Sequence, residues 1–418
     1  MRSKESRPER SEGPAPRLVP NLGASIVLEN AQIVQHDGVV GRPLAFADGQ
    51  VVSGSEDARR LDLRDHLIFP GLINAHDHVQ LNSVPPLRHA QPFPNSYAWI
   101  DAFESYRQDP AVAAAVEVPS AARHWHGGLK NLLAGVTTVA HHDPWHAVLD
   151  DPDFPVGLLR HFGWCHSLGL GEPRGDRPPR YGPSLHASFA ATPTKYPWMI
   201  HLAEGTDAAA RGELERLDAL GCLAANTVLA HGVGLTGSDV ERVIECGAAV
   251  VWCPASNLGM LGRTLGESAL RRLFSAGRLA LGSDSRLTGS RDLLDELRVA
   301  ASHSSLSPRE LLRLVTSDAS RILGLPECGG LSAGLQADCI IVRAGADPYA
   351  TLLGTARSAI RAVVRGGVPV IADPDFADWF AYCGVDVVPV RLDGRPKLMA
   401  RRLLRPEVAR CEEGLELV

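Results

Sequence analysis

The fold is decided at residues 70–82, PGLINAHDHVQLN, where an apolar run follows Pro70-Gly71 and ends in two histidines. His76 and His78 are one residue apart, so on a strand their side chains face the same side. The stretch therefore predicts a buried strand whose end presents a pair of imidazoles. The alternative is that His76 and His78 are ordinary histidines in a loop. The rest of the sequence has to distinguish these two interpretations.

Short apolar runs alternate with helical stretches throughout residues 70–325. Near-continuously apolar strands between helices indicate a parallel sheet that is buried on both faces. Eight such runs predict a (β/α)8 barrel, the TIM-barrel architecture of the α/β class. The predicted strands lie within residues 71–76, 135–142, 156–166, 184–190, 197–203, 226–232, 248–254 and 279–285.

Both ends of the chain instead contain short β-like runs that are separated by glycine-containing turns. They predict a small β-domain, formed by the two chain ends, beside the barrel. The predicted boundaries are 1–23 for a disordered tail, 24–69 and 326–390 for the two parts of this β-domain, 70–325 for the barrel, and 391–418 for a C-terminal tail or surface helix.

Composition excludes several classes of function. The 418 residues carry a net charge of −6, and no run approaches 18 apolar residues, so neither nucleic-acid binding nor a membrane span is expected. The first residues lack the apolar stretch of a secretory signal. The eight cysteines are scattered without a C-x-x-C pair, which predicts reduced thiols and a cytoplasmic location.

Polar side chains at the ends of several predicted strands suit a metal ion. The C-terminal ends of barrel strands converge on one mouth, where three imidazole nitrogens and one carboxylate oxygen can meet. This donor set favours zinc, with iron as the alternative, over calcium or magnesium. All four lysines are predicted away from the mouth ends of the strands, so one ion is expected rather than a lysine-bridged pair. The predicted ligands are His76, His78, His201 and Asp284.

Two further residues near these strand ends can carry acid–base chemistry. Glu204, in HLAEG, follows His201 by three residues and is placed to move a proton of the metal-bound water; the alternative is a first-turn glutamate that favours the helix dipole. His231, in VLAHGVG, ends another apolar run and is placed to polarise the water or a developing oxyanion. Its alternative is a core histidine that is bonded to the backbone.

The candidate substrate contacts lie on connections between the predicted strands. Residues 83–110 are rich in proline and aromatic residues and predict a lid, which either contacts the substrate or packs on the barrel rim. Gln80 precedes this lid. Trp145 either stacks on a substrate ring or packs within its loop. Arg286 either faces an anionic substituent or serves as a surface or helix-capping residue.

Six motifs, PGLINAHDH, GVTTV, HLAEG, VLAHGVGL, CPASNLGM and LGSDS, occur in an order that resembles the amidohydrolase superfamily. The resemblance is to its mononuclear branch, which contains cytosine, guanine and adenosine-type deaminases and triazine hydrolases. It implies a barrel with a composite β-sandwich, a homodimer, and the four metal ligands predicted above. It also implies that Glu204 is the proton shuttle, that His231 is the activating base, and that His186 is a substrate-side histidine.

The expected function is hydrolytic deamination of an amino-substituted nitrogen heterocycle of purine, pyrimidine, pterin or triazine type. The metal ion lowers the pKa of its water from about 15.7 toward about 7. Glu204 favours an amine leaving group, because an amine has to depart protonated. Hydrolysis of a C–Cl, amide or cyclic amidine bond at the same site is the alternative. An inactive scaffold is a third hypothesis, although a scaffold should have lost these ligands.

Overall fold

The computed structural model describes residues 25–54, 57–87, 89–172 and 179–418. The tail predicted at residues 1–23 lies outside them. The described chain has an α/β architecture, in which parallel strands flanked by helices separate two groups of short strands from the chain ends. Within these ranges, no helix has both the length and the apolar character that crossing a membrane requires.

Short strands form the first part of the described chain, as predicted from its turn-rich sequence. They are β1 (Ile26–Glu29), β2 (Gln32–Gln35), β3 (Gly38–Val40), β4 (Leu44–Ala47), β5 (Gln50–Val52), β6 (Arg59–Asp62) and β7 (His66–Pro70).

The central part forms two parallel sheets, whose orders are β10-β9-β8 and β11-β12-β13-β14-β15. Their strands are β8 (Leu72–Asp77), β9 (Val136–His141), β10 (Gly157–Leu158), β11 (Gly163–Ser167), β12 (Trp198–Leu202), β13 (Thr227–His231), β14 (Ala249–Trp252) and β15 (Leu279–Leu281).

Alternation along these strands divides their side chains between two environments. One set forms an apolar cluster with members from both parallel sheets, among them Ile73, Ala140, Met199, Val228, Val251 and Ala280. The other set, for example Leu72, Ile200 and Leu229, joins the larger core that includes the helices. Strands that are buried on both faces explain why the sequence runs are almost continuously apolar.

Helices cover the outer faces of the two parallel sheets and form part of the cavity described below. The central helices are α1 (Ser96–Tyr106), α2 (Pro110–Glu117), α3 (Ser120–Leu133), α4 (Leu168–Gly171), α5 (Leu185–Ala191), α6 (Ala208–Arg211), α7 (Glu213–Ala219), α8 (Gly237–Cys246), α9 (Pro254–Leu261), α10 (Glu267–Ser275), α11 (Leu293–Ser302), α12 (Pro308–Leu314) and α13 (Ser317–Ile322).

The third and fourth predicted strands were wrong. The run at 156–166 contains two strands, β10 and β11, because the chain turns between them and Gly163 starts the second. The run at 184–190 is not a strand; most of it forms helix α5, in keeping with its alanine- and leucine-containing sequence, SLHASFA. The count of eight parallel strands is kept, but their positions in the chain shift.

The C-terminal part adds β16 (Cys339–Arg343), β17 (Ala362–Arg365), β18 (Val368–Ala372), β19 (Val387–Leu392), β20 (Arg395–Ala400) and β21 (Leu415–Leu417). It also adds the short helices α14 (Pro348–Gly354), α15 (Ala377–Tyr382) and α16 (Pro406–Ala409). The expectation of a tail or surface helix at 391–418 was wrong, because several residues of β20 are buried and this strand pairs with β18 and β19.

Strands from the two chain ends pair with each other. β7 and β16 are antiparallel neighbours in a nine-stranded sheet of order β21-β19-β20-β18-β17-β16-β7-β2-β3. A second sheet has the order β5-β4-β1-β6. Leu28 and Phe46 of the second sheet share an apolar cluster with Ile68 and Ile341 of the first. Both chain ends therefore build one core.

Candidate metal centre and active site

His76 lies at the centre of a group of imidazoles at the end of β8. Its side chain is fully buried, and neither ring nitrogen has a hydrogen-bond partner among the described residues. The rings of His78, His201 and His231 lie 5.0, 4.9 and 5.6 Å from its ring centroid. A buried imidazole without partners is costly unless another group satisfies it, and a bound metal ion is such a group.

The ring nitrogens of His78 and His201 are oriented by neighbouring oxygen atoms. The Nδ1 of His78 lies 2.6 Å from Asp143 Oδ2, and the Nδ1 of His201 lies 2.7 Å from the backbone oxygen of His166. With both Nδ1–H groups donating, the two Nε2 atoms face each other at 3.1 Å. A cation or a proton between them is needed to remove the repulsion of their lone pairs.

Asp284 follows β15 and completes the predicted ligand set. Its Oδ1 lies 3.7 Å from His78 Nε2, and its Oδ2 accepts hydrogen bonds from Ser256 Oγ at 2.7 Å and Thr288 Oγ1 at 2.9 Å. Its backbone amide donates to the backbone oxygen of His76 at 3.0 Å. The structure thus brings one donor atom of His76, of His78 and of Asp284 within 4.8 Å of one another.

Gly282 permits the close approach of β15 to β8. A Cβ at this position would lie 2.7 Å from the backbone nitrogen of His76, which is closer than a side chain tolerates. The glycine of LGSDS therefore allows Asp284 to reach the imidazoles of the first motif.

Glu204 and His231 lie on the other side of the imidazole group. Glu204 Oε1 is 3.5 Å from His231 Nε2, and both side chains are buried. The Nδ1 of His231 donates to Asn257 Oδ1 at 2.8 Å, which directs Nε2 toward Glu204. His231 is also grouped with His76 and His201, with donor atoms within 4.8 Å of one another.

Burial and the neighbouring charges set the protonation of these groups. Burial raises the pKa of Glu204 above its usual value, although the charge of His231 opposes this shift. Burial also acts to raise the pKa of Asp284, but His78 and His231 hold it below its usual value. Burial lowers the pKa of His78, whereas the charge of Asp143 and its hydrogen bond raise it to about 9. Two buried carboxyl groups with opposite shifts can divide acid and base roles between them.

Three residues at the site adopt left-handed backbone conformations without being glycine. Ala203, His231 and Asp284 have φ values of +53°, +75° and +52°. Such conformations persist only when surrounding bonds enforce them, and they cluster at functional sites. His231 and Asp284 are themselves predicted site residues, and Ala203 directly precedes the predicted proton shuttle Glu204.

The imidazoles of His78, His201 and His231 line a cavity of about 370 Å³, together with Glu204 and Asp284. Trp99 and Phe103, from helix α1 in the predicted lid, line its wall, with ring centroids 5.3 Å apart and nearly parallel planes. Leu170, Met260 and Leu287 add apolar surface. The predicted lid therefore contributes to the cavity rather than only packing on the rim.

Gln80 is the one residue among the four predicted substrate contacts that lines this cavity, where it donates to Asp143. His186 is exposed on α5, because the predicted fourth strand is a helix, and its nearest polar partner is Cys222 at 3.8 Å. Trp145 packs in its loop and donates to Asp150. Arg286 binds Glu412 through two hydrogen bonds of 2.9 Å. None of these three side chains lines the cavity among the described residues, and their contact with a substrate stays a prediction.

His166 and Tyr181 line the cavity but were not predicted as site residues. His166 lies at the end of β11, and burial lowers its pKa to about 4, so it is neutral at pH 7. Its position at the end of an apolar run could have identified it. Tyr181 donates to Asp143 Oδ1 at 2.6 Å, and no sequence pattern around it indicates this contact.

The sequence model of the amidohydrolase family matches residues 180–370. This match confirms the resemblance inferred from the six motifs. The chain is also 33% identical over 139 residues to a 5-methylthioadenosine/S-adenosylhomocysteine deaminase of Halobacterium salinarum, a match that covers 31% of each chain. The chain thus matches about a third of that relative's length.

Two longer matches cover most of the chain. The 5-methylthioadenosine/S-adenosylhomocysteine deaminase of Pyrococcus furiosus is 24% identical over 406 residues, covering 82% of this chain and 92% of the relative. A variant of atrazine chlorohydrolase from Arthrobacter aurescens TC1, solved with zinc and atraton, is 20% identical with a TM-score of 0.67. That similarity covers 86% of this chain and 100% of the other, and it shows a shared fold.

Proposed function

We propose that this protein is a metal-dependent hydrolase that deaminates an amino-substituted nitrogen heterocycle of purine, pyrimidine, pterin or triazine type. The observation that carries the proposal is that one cavity is lined by Glu204, Asp284 and three imidazoles, whose donor atoms group with those of the buried His76. The deaminase relatives support it. The proposed class is a hydrolase that acts on carbon–nitrogen bonds other than peptide bonds.

The donor atoms fit one divalent ion, for which zinc is proposed over iron. His76 offers two unpartnered nitrogens, and hydrogen bonds at Nδ1 leave the Nε2 of His78 and of His201 for an ion. Asp284 adds a carboxylate oxygen. The chlorohydrolase with a similar fold contains zinc. An ion held here would supply a water molecule of lowered pKa as the nucleophile.

The two carboxyl groups divide the proton transfers. The lowered pKa of Asp284 keeps its carboxylate ready to accept a proton, whereas the raised pKa of Glu204 lets its carboxyl group hold one. Glu204 then protonates a ring nitrogen and regains a proton from the attacking water, and the second proton of that water passes through Asp284 to the departing amine. Such acid–base assistance typically contributes about 10² to 10⁴ in rate. His231, whose Nε2 is directed by Asn257, stabilises the charge that develops at the reacting carbon.

The two parallel sheets are proposed to close into the (β/α)8 barrel at residues 70–325. The amide of Asp284 bonds the backbone oxygen of His76, and the two sheets share one apolar cluster. The sheets of the chain ends are proposed to form the composite β-sandwich of residues 24–69 and 326–390, since they share a core. The predicted homodimer and cytoplasmic location remain predictions from the sequence.

Hydrolysis of a C–Cl bond is the second candidate, because a chlorohydrolase solved with zinc shares the fold. Amide and cyclic amidine hydrolysis belong to the same alternative. Glu204 argues for deamination, since chloride leaves without a proton whereas an amine needs one.

A substrate panel with zinc-reconstituted protein tests the proposal. Amino-substituted purines, pyrimidines, pterins and triazines are incubated with the protein, and released ammonia is measured beside chloride and ring-opened products. Ammonia from at least one ring, lost in Glu204→Gln, is expected. Chloride or ring-opened product without ammonia from any ring would support the second candidate and overturn the first.

A further inference from the structure

The turn that presents Glu204 is held by a carboxylate outside the cavity. Ala203 precedes Glu204 with a φ of +53°, a conformation that alanine rarely adopts. Its amide donates to Glu213 Oε2 at 2.6 Å, and its backbone oxygen accepts from the amide of Gly234 at 2.7 Å. Hydrogen bonds on both sides of Ala203 therefore enforce the turn.

Glu213 is an unusual residue for this place. It is the first residue of α7 and is only 8% exposed, whereas Glu215, two residues later, is exposed. Burial raises the pKa of Glu213 to about 7, against the opposing effect of its hydrogen bonds with Tyr97 and Ala203. Burying a carboxyl group costs free energy unless hydrogen bonds replace the water that it loses, and Tyr97 and Ala203 supply these bonds to Glu213.

The second oxygen of Glu213 reaches helix α1. Tyr97 donates its hydroxyl to Glu213 Oε1 at 2.5 Å and accepts the amide of Gly169 at 3.1 Å. The neighbouring residue on α1, Ser96, donates its amide to the backbone oxygen of Glu204 at 2.9 Å. The same helix carries the two cavity aromatics, so substrate contacts and the Glu204 turn are joined through these bonds.

We propose that Glu213 and Tyr97 are a positioning pair that couples helix α1 to the proton-transfer residue. Glu213 and Tyr97 do not line the cavity that contains Glu204. Both line a neighbouring cavity, and their hydrogen bonds hold the backbone around Glu204. Glu213 fixes the direction of Glu204 through Ala203. Through its hydrogen bond with Glu213, Tyr97 links the position of helix α1 to that of the Glu213 carboxyl group. This inference rests on the proposed role of Glu204.

Glu213→Ala removes the acceptor of the Ala203 amide and is expected to lower kcat roughly 100-fold, the effect of a misplacement of about 1 Å. Zinc content should be unchanged, since Glu213 touches no ligand. Glu213→Gln keeps an acceptor oxygen and should restore most of the activity. Glu215→Ala, the matched control on the same helix, should behave like the unaltered protein.

Tyr97→Phe leaves the bond between Glu213 and Ala203 in place and loosens α1. It should therefore raise KM more than it lowers kcat. Combined with Glu213→Ala, it should lower kcat no further, because the two residues act in series. If Glu213→Ala does not fold, Tyr97→Phe alone still tests the proposal.

Hydrogen exchange, measured by mass spectrometry on peptides that cover residues 198–206, gives a readout apart from activity. Faster exchange of the Ala203 amide is expected in Glu213→Ala and not in Tyr97→Phe. Glu204→Gln is measured in parallel. Full activity in Glu204→Gln would overturn the proposed function itself. Loss there, with normal kcat and normal exchange in Glu213→Ala, would overturn only the positioning pair.

Discussion

Asp143 is a buried carboxylate that contacts the predicted metal ligand His78 without being a predicted ligand itself. It accepts hydrogen bonds from His78 Nδ1, from Tyr181 and from Gln80. The charge and hydrogen bond of His78 hold the pKa of Asp143 well below its usual range, against the effect of burial. A carboxylate in this position fixes the ring of a metal-binding histidine and makes its Nε2 a stronger donor.

Asp143→Asn should therefore weaken zinc binding by about 10- to 100-fold. The affinity is measured by competition with a chelator of known zinc affinity. Asp150→Asn is the matched control, since Asp150 is exposed and bonds Trp145 and Arg160 instead. Equal zinc affinity in Asp143→Asn and the unaltered protein would show that Asp143 does not support the ligand.

Residue types at strand ends could be predicted from the sequence, whereas their neighbours across the cavity could not. His76, His78, His201 and Asp284 each lie at or after the end of an apolar run, and the structure places them in two donor groups that share His76. Arg286 lies only two residues after Asp284, yet its guanidinium bonds Glu412, which lies 126 residues later. Pairings over such distances leave no local pattern.

Helix α1 supplies an aromatic surface to the cavity that also contains the imidazoles of His78 and His201. Its aromatic pair, Trp99 and Phe103, lines this cavity with nearly parallel rings. The indole Nε1 of Trp99 is buried without a hydrogen-bond partner among the described residues. A flat heterocycle can satisfy both features, because it offers a face for stacking and ring nitrogens as acceptors.

Trp99→Ala should raise KM about 5- to 150-fold, because a base stacked on an aromatic side chain contributes about 1–3 kcal/mol. Trp99→Phe should recover part of this loss, since it keeps a ring and lacks only the N–H donor. Steady-state kinetics with the best substrate of the panel measure both. Tyr106→Phe is the control on the same helix, because Tyr106 contacts His89 outside the cavity. An unchanged KM in Trp99→Ala would exclude α1 from recognition.

Helices could be predicted where the repeat of apolar residues was long. Where the apolar run was short, helix and strand could not be distinguished. Helices α10 and α11 lie within the stretches at 267–277 and 292–303, where apolar residues recur at helical spacing. The stretch at 184–190 has the length of either a strand or two helical turns, and periodicity alone does not separate these. Tertiary packing decides for α5, whose Leu185 is buried while most of the helix is not.

At the scale of the whole molecule, the C-terminal segment is anchored beside the metal centre. Glu412 is 2% exposed and accepts hydrogen bonds from His126, Arg286 and Arg357. Arg286 follows the predicted ligand Asp284 by two residues. The segment around Glu412 therefore braces the loop after β15, although the sequence suggested only a tail or a surface helix.

Glu412→Gln should destabilise the protein at pH 7 by about 3 kcal/mol, because it leaves the largely buried guanidinium of Arg286 without its counter-charge, whereas Arg357 keeps Asp393. The hydrogen bond from His126 and the charge of Arg286 lower the pKa of Glu412 below its usual 4.5, against the effect of burial. Its stabilisation is thus complete above the unfolded pKa and is lost as pH falls. Urea unfolding at several pH values measures this.

The stability difference between Glu412→Gln and the unaltered protein should accordingly shrink below about pH 4.5. Glu416→Gln, at an exposed position of β21, is the matched control and should change little at any pH. A difference that grew on acidification would contradict the assigned role of Glu412.

The overall α/β class could be predicted because buried strands and helices alternate along most of the chain. The similar short β-like runs at the two chain ends predicted one shared β-domain, but not that β7 would pair with β16, because these strands are separated by almost the whole central part. The same limit applies to Glu412 and Arg286, which meet through the packing of distant segments.

Metal stoichiometry tests the central claim most directly. Zinc is measured by elemental analysis after the metal-free protein is reconstituted and dialysed, and His76→Ala is treated in the same way. The ligand set predicts one zinc ion per chain in the unaltered protein and nearly none in a folded His76→Ala. The predicted ligand set would be contradicted if the unaltered protein retained no ion or two ions. It would also be contradicted if His76→Ala still retained one ion.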